Sequence, residues 1–228
     1  MKSGFLEVSF KGGGMSNGLR MRHFCWIGVL ASAFFIFAAD AAEPPPSPPA
    51  ILLAKVWRDE FNPTAFWVSE KLDGVRAVWD GRTLRFRSGR AVHAPQWFVA
   101  GLPAQPLDGE LWLGRGRFDA LSAIVRKAEA VDAEWRQVRY MIFDLPGASG
   151  TFSERVSQMR AVTEQAHVPW LAAAPQFRVG DRTELMARYA DVIDHGGEGL
   201  MLHRADAPYR AGRSDDLLKL KPVHKWFC

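Results

Sequence analysis

Residues 69–76 read Ser-Glu-Lys-Leu-Asp-Gly-Val-Arg, which sets Lys71 between the carboxylates of Glu70 and Asp73 at the edge of an apolar run. Asp73-Gly74 on its own marks an ordinary surface turn. Further along, other charged residues also interrupt apolar segments. Glu110 lies inside Leu107–Leu113, Glu198 precedes Gly199-Leu-Met-Leu202, and Lys219 and Lys221 alternate with Leu218 and Leu220. Taken singly, each reads as part of a solvated face. Burying any one alone would be costly, whereas burying them together around a charged ligand would not.

A lysine in water keeps its proton to about pH 10.4 and is then no nucleophile. Desolvation and neighbouring cations lower that value. Lys219 and Lys221 share one face of a strand by its period of two, so they could supply such cations and grip phosphate oxygens. Glu110 and Glu198 could hold Mg²⁺ together with phosphate oxygens and water. Phe143 offers an aromatic face for a base. A lysine nucleophile, a phosphate-binding pair and metal carboxylates together describe nucleotidyl transfer through a lysine–nucleotide intermediate.

The elements that must position these residues are short. Ile51–Trp57 is apolar enough for a strand, and Phe66-Trp67-Val68 leads into the Lys71 stretch as another. Two alternating runs, Val75–Trp79 and Leu84–Arg87, flank Asp80-Gly81 and predict a β-hairpin. Strands are expected at Leu107–Leu113, Val138–Leu145, Glu198–His203 and Leu217–Lys221. Helical spacing of Phe118, Leu121, Ile124, Val125 and Ala128 predicts a helix over 118–130. A second helix is expected over 152–166, and a third from an Asp181 or Thr183 cap to His195, stopped by Gly196-Gly197. Three helices among many short strands do not make strict βαβ alternation. The expected class is α+β, with antiparallel sheets flanked by helices.

The ends read differently from the middle. Arg20-Met-Arg-His23 precedes an apolar run from Phe24 to Ala39 and then Ala39-Asp40-Ala41. That order predicts an N-terminal extension plus signal peptide over 1–41, cleaved near Ala41, and export to the periplasm. The run is short for a membrane span, which needs about 20 apolar residues, so no stable membrane association is expected after cleavage. Glu43-Pro-Pro-Pro-Ser-Pro-Pro49 lies in a Pro-rich linker over 42–49. A single folded domain is expected over 50–222, with a short tail over 223–228. The chain carries 29 basic and 25 acidic residues, net +4; without the four bases and two acids of residues 1–41 it is +2. That balance neither demands nor excludes nucleic acid. The two cysteines, Cys25 and Cys228, form no Cys-x-x-Cys pattern.

The order of these pieces resembles the covalent nucleotidyltransferases, which include DNA ligases, RNA ligases and mRNA capping enzymes. Lys71-Leu-Asp73-Gly74 is similar to the K-x-D-G nucleophile motif, and Arg87 to the arginine of an S-R-x-G segment, with Phe86 in place of its serine. Asp108-Gly109-Glu110, Tyr140–Asp144, Glu198-Gly-Leu-Met-Leu and Lys219-Leu-Lys221 resemble the later motifs in order. The nearest likeness is to small, secreted, proteobacterial ATP-dependent DNA ligases. It includes Trp112-Leu-Gly-Arg-Gly-Arg-Phe118.

That resemblance implies an adenylyltransferase domain that seals 5′-phosphate/3′-hydroxyl nicks in duplex DNA with ATP and Mg²⁺ or Mn²⁺, and a monomer. It implies that Lys71 attacks the α-phosphate, Asp73 orients the reacting groups and Glu70 lies near the adenine. Arg76 and Arg87 would contact nucleotide or nick phosphates. Glu110 would meet the ribose, with a place beside the metal, which Glu198 would hold. Phe143 would stack on adenine, and Lys219 and Lys221 would touch the α-phosphate. NAD⁺-dependent ligases carry an extra N-terminal domain; only about twenty residues separate Ala50 from Lys71, which favours ATP. Two departures stand out. Family ligases continue into an OB-fold domain, whereas seven residues follow Lys221, so the expectation is a truncated chain without that fold. His203 stands where an arginine is common. An RNA ligase, a capping-type transferase or a nucleotide- or DNA-binding remnant would share much of this pattern.

Overall fold

The structure, a computed structural model, describes residues 47–222. The expected signal peptide and its expected cleavage near Ala41, residues 42–46 of the expected Pro-rich linker and the 223–228 tail lie outside the described residues. The chain runs through β1 (Leu52–Val56), a 3₁₀ turn (Pro63–Ala65), β2 (Phe66–Glu70), β3 (Val75–Trp79), β4 (Leu84–Phe86) and α1 (Gln96–Ala100). Then come β5 (Leu107–Trp112), α2 (Phe118–Val125), α3 (Asp132–Trp135), β6 (Arg139–Asp144) and α4 (Phe152–Ala166). β7 (Leu171–Ala173), α5 (Arg182–Asp194), β8 (Leu200–Arg204) and β9 (Gly212–Leu220) complete it.

The strands form two sheets, ordered β1-β9-β8-β2 and β4-β3-β5-β6-β7. Pairing is antiparallel except for β1 with β9 and β6 with β7. Each sheet packs one face on its own apolar core. The five-stranded sheet buries Ala77, Leu107, Leu111 and Ile142 against Leu121 of α2 and Met159 of α4. The four-stranded sheet buries Phe66, Val68, Leu200, Leu202 and Leu218 against Leu185 of α5. Since side chains alternate along a strand, the intervening residues of both sheets face the other way, and they line a cleft between the sheets.

Local chemistry accounts for most of the elements. The β3–β4 hairpin closes because the Asp80 carboxylate accepts from the backbone of Arg82 (2.9 Å) and Thr83 (2.7 Å), with Gly81 at φ +94°. Thr151 and Glu154 form a reciprocal capping box that starts α4, and Asp181 caps α5. The α2 helix is shorter than its spacing predicts. It ends at Val125 because the apolar stripe is complete there: Ala128, expected on the buried face, is exposed. The β9 strand is longer than expected, because its first half, Gly-Arg-Ser-Asp-Asp, has no strand-like pattern and is held by backbone pairing with β1. α1, α3 and β7 are too short to show a period in sequence.

Candidate active site

Lys71 begins the four-residue crossing from β2 in one sheet to β3 in the other. Its backbone N–H donates to Gly199 O (2.9 Å), and its Nζ donates to the Glu198 carboxylate. Glu198 stands two residues before β8, so the pair ties the crossing to the start of that strand. Gly199 lets the chain ahead of β8 lie close against the end of β9. Its φ is +136°, and a Cβ there would sit 2.1 Å from Leu220 O. Burial first, and then the Glu198 charge, push the Asp73 carboxyl up, with Lys71 pulling the other way.

Across the cleft, β3 and β5 place Arg76 opposite Glu110 and Val78 opposite Asp108. The Arg76 guanidinium donates to both oxygens of the fully buried Asp108, at 3.0 and 2.6 Å. It also lies 5.3 Å from the centroid of the Phe143 ring, a cation–π distance. The bidentate pair with Asp108 thereby holds the guanidinium beside the ring. Burial pushes Glu110 up to about 8, against the opposing pull of Arg76 and Lys71.

The cleft between the sheets has a volume of about 300 Å³. Seven of the sequence-predicted residues line it: Glu70, Lys71, Arg76, Arg87, Glu110, Phe143 and Lys219. Glu198 reaches it through its pair with Lys71. Asp73 and Lys221 are outside the lining, although the charge of Lys221 acts on Lys219 inside it. Burial, then the charges of Lys221 and Lys71, hold Lys219 below the ordinary lysine range. Glu70 is engaged elsewhere as well. Both its oxygens accept from Arg115, at 2.7 and 2.8 Å, and Arg115 also donates to His195 O (3.1 Å). That geometry gives Glu70 a positioning role beside the nucleophile.

Several residues of the site escape sequence reasoning. Arg213 lines the cleft from the polar half of β9 and donates to Ala54 O at 2.5 Å. Arg115 lies in the Gly-Arg-Gly-Arg loop, which gives no hint of its long-range partner. Gln176, Ser69 and His203 line the cleft as well. The period of β8 puts Met201 and His203 on its cleft face, and only the strand register could have shown Gln176.

Two carboxylates are near Lys71: Glu110 in the cleft lining and Glu198 in its ion pair. Among the described residues no cluster of three or more His, Cys, Asp or Glu is placed to hold a metal ion unaided. The pair still fits Mg²⁺, which takes one or two carboxylates and completes its shell with substrate phosphates and water.

Two sheets around a charged cleft, with a lysine on the crossing between them, define a nucleotidyltransferase domain. A family model of the ATP dependent DNA ligase domain matches residues 53–221, and the chain belongs to that family. The DNA ligase of Haemophilus influenzae is 34% identical over 168 residues, which are 73% of this chain and 62% of that protein. The chain therefore spans less than two thirds of that relative. The structure of a Lig E DNA ligase, studied for DNA binding with a minimal scaffold, aligns with TM-score 0.72 at 39% identity, over 76% of this chain and 69% of the other. The adenylate form of Chlorella virus DNA ligase shares the fold, with TM-score 0.63 and 22% identity over 77% and 69% of the two chains.

Proposed function

We propose that this chain is the adenylating part of an ATP-dependent DNA ligase that acts on nicked duplex DNA. The observation that carries the proposal is the placement of Lys71 Nζ at a cleft that also holds Phe143, Glu110 and the cations Arg87, Arg213 and Lys219. In the first step the Lys71 Nζ lone pair attacks the α-phosphorus of ATP. The bond to the bridging oxygen breaks, pyrophosphate leaves and a P–N bond forms. Glu198 holds the Nζ proton, which has to be lost before attack. Lys219 and Arg213 neutralise phosphate charge, Phe143 and Met201 flank the base, and Arg76 keeps the ring in place. Glu110 and Glu198 would hold Mg²⁺, which would supply further charge neutralisation at the phosphates. AMP then passes to a nick 5′-phosphate, and the 3′-hydroxyl displaces it.

Residues 20–41, with their basic, apolar and small-residue order, support export to the periplasm, as in the small secreted proteobacterial ligases; the exported form is taken to be a monomer. The test is the intact mass of the purified chain before and after incubation with ATP and Mg²⁺, beside Lys71→Ala. The expected result is one AMP adduct on the parent chain and none on the variant. An adduct that survives Lys71→Ala would refute the assignment of the nucleophile.

A further inference from the structure

One wall of the cleft carries, beyond Lys219 and Met201, residues that the steps above leave unused. β2 and β8 pair Ser69 with Met201, and β8 and β9 pair Met201 with Lys219. Beyond β2, an isolated antiparallel bridge joins Val68 to Phe177, with backbone bonds of 2.8 and 2.9 Å in the two directions. Phe177 packs on the core of the four-stranded sheet. Its neighbour Gln176 therefore points the other way, level with Ser69. Lys219, Met201, Ser69 and Gln176 form one row across the cleft face of that sheet, and all four line the cleft.

Gln176 has a feature that the fold does not explain. Its side-chain oxygen Oε1 is buried without a hydrogen-bond donor. A buried orphan acceptor is destabilising, by an amount comparable to a lost hydrogen bond, unless a ligand supplies the donor. The row gives the ligand's orientation: phosphates at Lys219, a flat base over Met201, and the base edge toward Gln176. An acceptor in that position matches the exocyclic amino group of a 6-aminopurine. It opposes the 6-oxo group of guanine, because two acceptors would then face each other across a dry contact. Glutamine amides commonly recognise adenine through this amino group.

We infer that Gln176 is a specificity-determining residue, whose side-chain carbonyl accepts from the 6-amino group of the purine and so selects ATP over GTP. The inference rests on the nucleotide-binding reading above. His203 also leaves a ring nitrogen, Nε2, unpartnered, but it pairs with Trp67, one ladder step deeper than the Met201 row. It is therefore not level with the base edge.

The test is equilibrium binding of three probes, ATP, GTP and purine riboside triphosphate, which carries hydrogen at C6, to the full chain and to Gln176→Leu. The parent should bind ATP about tenfold more tightly than purine riboside triphosphate, and GTP more weakly still. In Gln176→Leu the ATP advantage should disappear while affinity for purine riboside triphosphate is retained, which also shows that the variant is folded. Gln176→Glu, still an acceptor, should keep the preference for ATP over purine riboside triphosphate. If Gln176→Leu weakens all three probes alike, or leaves the ATP preference intact, the inference fails and the nucleotide reading stands. If the parent chain binds none of the three, that reading fails, and the inference with it.

Discussion

His203 is a buried histidine with a measurable consequence. Its ring stacks on Phe152 with centroids 3.5 Å apart, and its Nδ1 lies 3.7 Å from an Asp144 oxygen. Burial holds its pKa down to about 4, with Asp144 pulling up and Arg155 reinforcing the depression. An unfolded histidine titrates near 6.5. Between those values the unfolded chain takes up a proton that the folded chain refuses, so stability falls as pH falls through that window and levels off below it. The whole shift corresponds to roughly 3 kcal/mol, of which roughly 2 kcal/mol lies between pH 6.5 and 5. Urea unfolding of the parent and of His203→Gln at pH 7 and pH 5 checks this. The variant should be the less stable of the two at pH 7 but should lose less on acidification. Equal losses in the two proteins would mean that His203 does not carry the effect. The departure from arginine at this position is thus consistent with the environment, since Arg155 already supplies the cation that Asp144 needs.

At the scale of elements, the crossing from β2 to β3 is shaped by Gly74. A Cβ there would meet Leu111 O at 2.3 Å and Glu110 Cγ at 2.6 Å, so alanine forces the crossing and β5 apart. Gly74→Ala should cut adenylation at least a hundredfold, because displacing reacting groups by about 1 Å costs that much. The AMP-adduct rate and the thermal midpoint of the variant test this; an adduct rate within threefold of the parent would show that the crossing adjusts freely. This crossing was legible in sequence because its polar residues are clustered and Asp73-Gly74 marks a turn just after the lysine. The hairpin at Asp80-Gly81, the helices α4 and α5 and the strands carrying Glu110, Phe143 and Lys219 were legible for the same local reasons: turn residues, caps and alternation. What sequence could not give was set by pairing between distant segments. The first half of β9 is polar and exists through β1. Gln176 reaches the cleft only through the bridge of its neighbour to Val68, and Arg115 meets Glu70 across 45 residues.

For the molecule as a whole, the cleft depends on how the two sheets are held to each other, and the start of α4 does much of this. Arg155 is fully buried and donates to Asp144 on β6 at 2.7 and 3.3 Å. It also donates to Ala207 O (3.1 Å), beyond β8 in the other sheet. Ser153 bonds Ala205 O through both its backbone N–H and its hydroxyl, each at 3.0 Å, and its hydroxyl accepts from Trp67 Nε1 of β2 (2.9 Å). Phe152 supplies the face on which His203 stacks. One helical turn therefore joins β6 to β2, β8 and the segment after β8. Removing one member of a buried ion pair leaves the other charged and unsolvated, which costs about 3–5 kcal/mol, whereas apolar replacement of both is often close to neutral. Asp144→Asn should therefore destabilise the chain by about that much, and nucleotide affinity should fall with it as the sheets lose their fixed spacing. The double variant Asp144→Leu/Arg155→Met should regain most of the stability but not the affinity, because no guanidinium then reaches Ala207. Urea unfolding followed by tryptophan fluorescence, with ATP binding measured on the same samples, separates the two effects. If the double variant recovers both, the pair only fills the core, and the spacing of the cleft is set elsewhere.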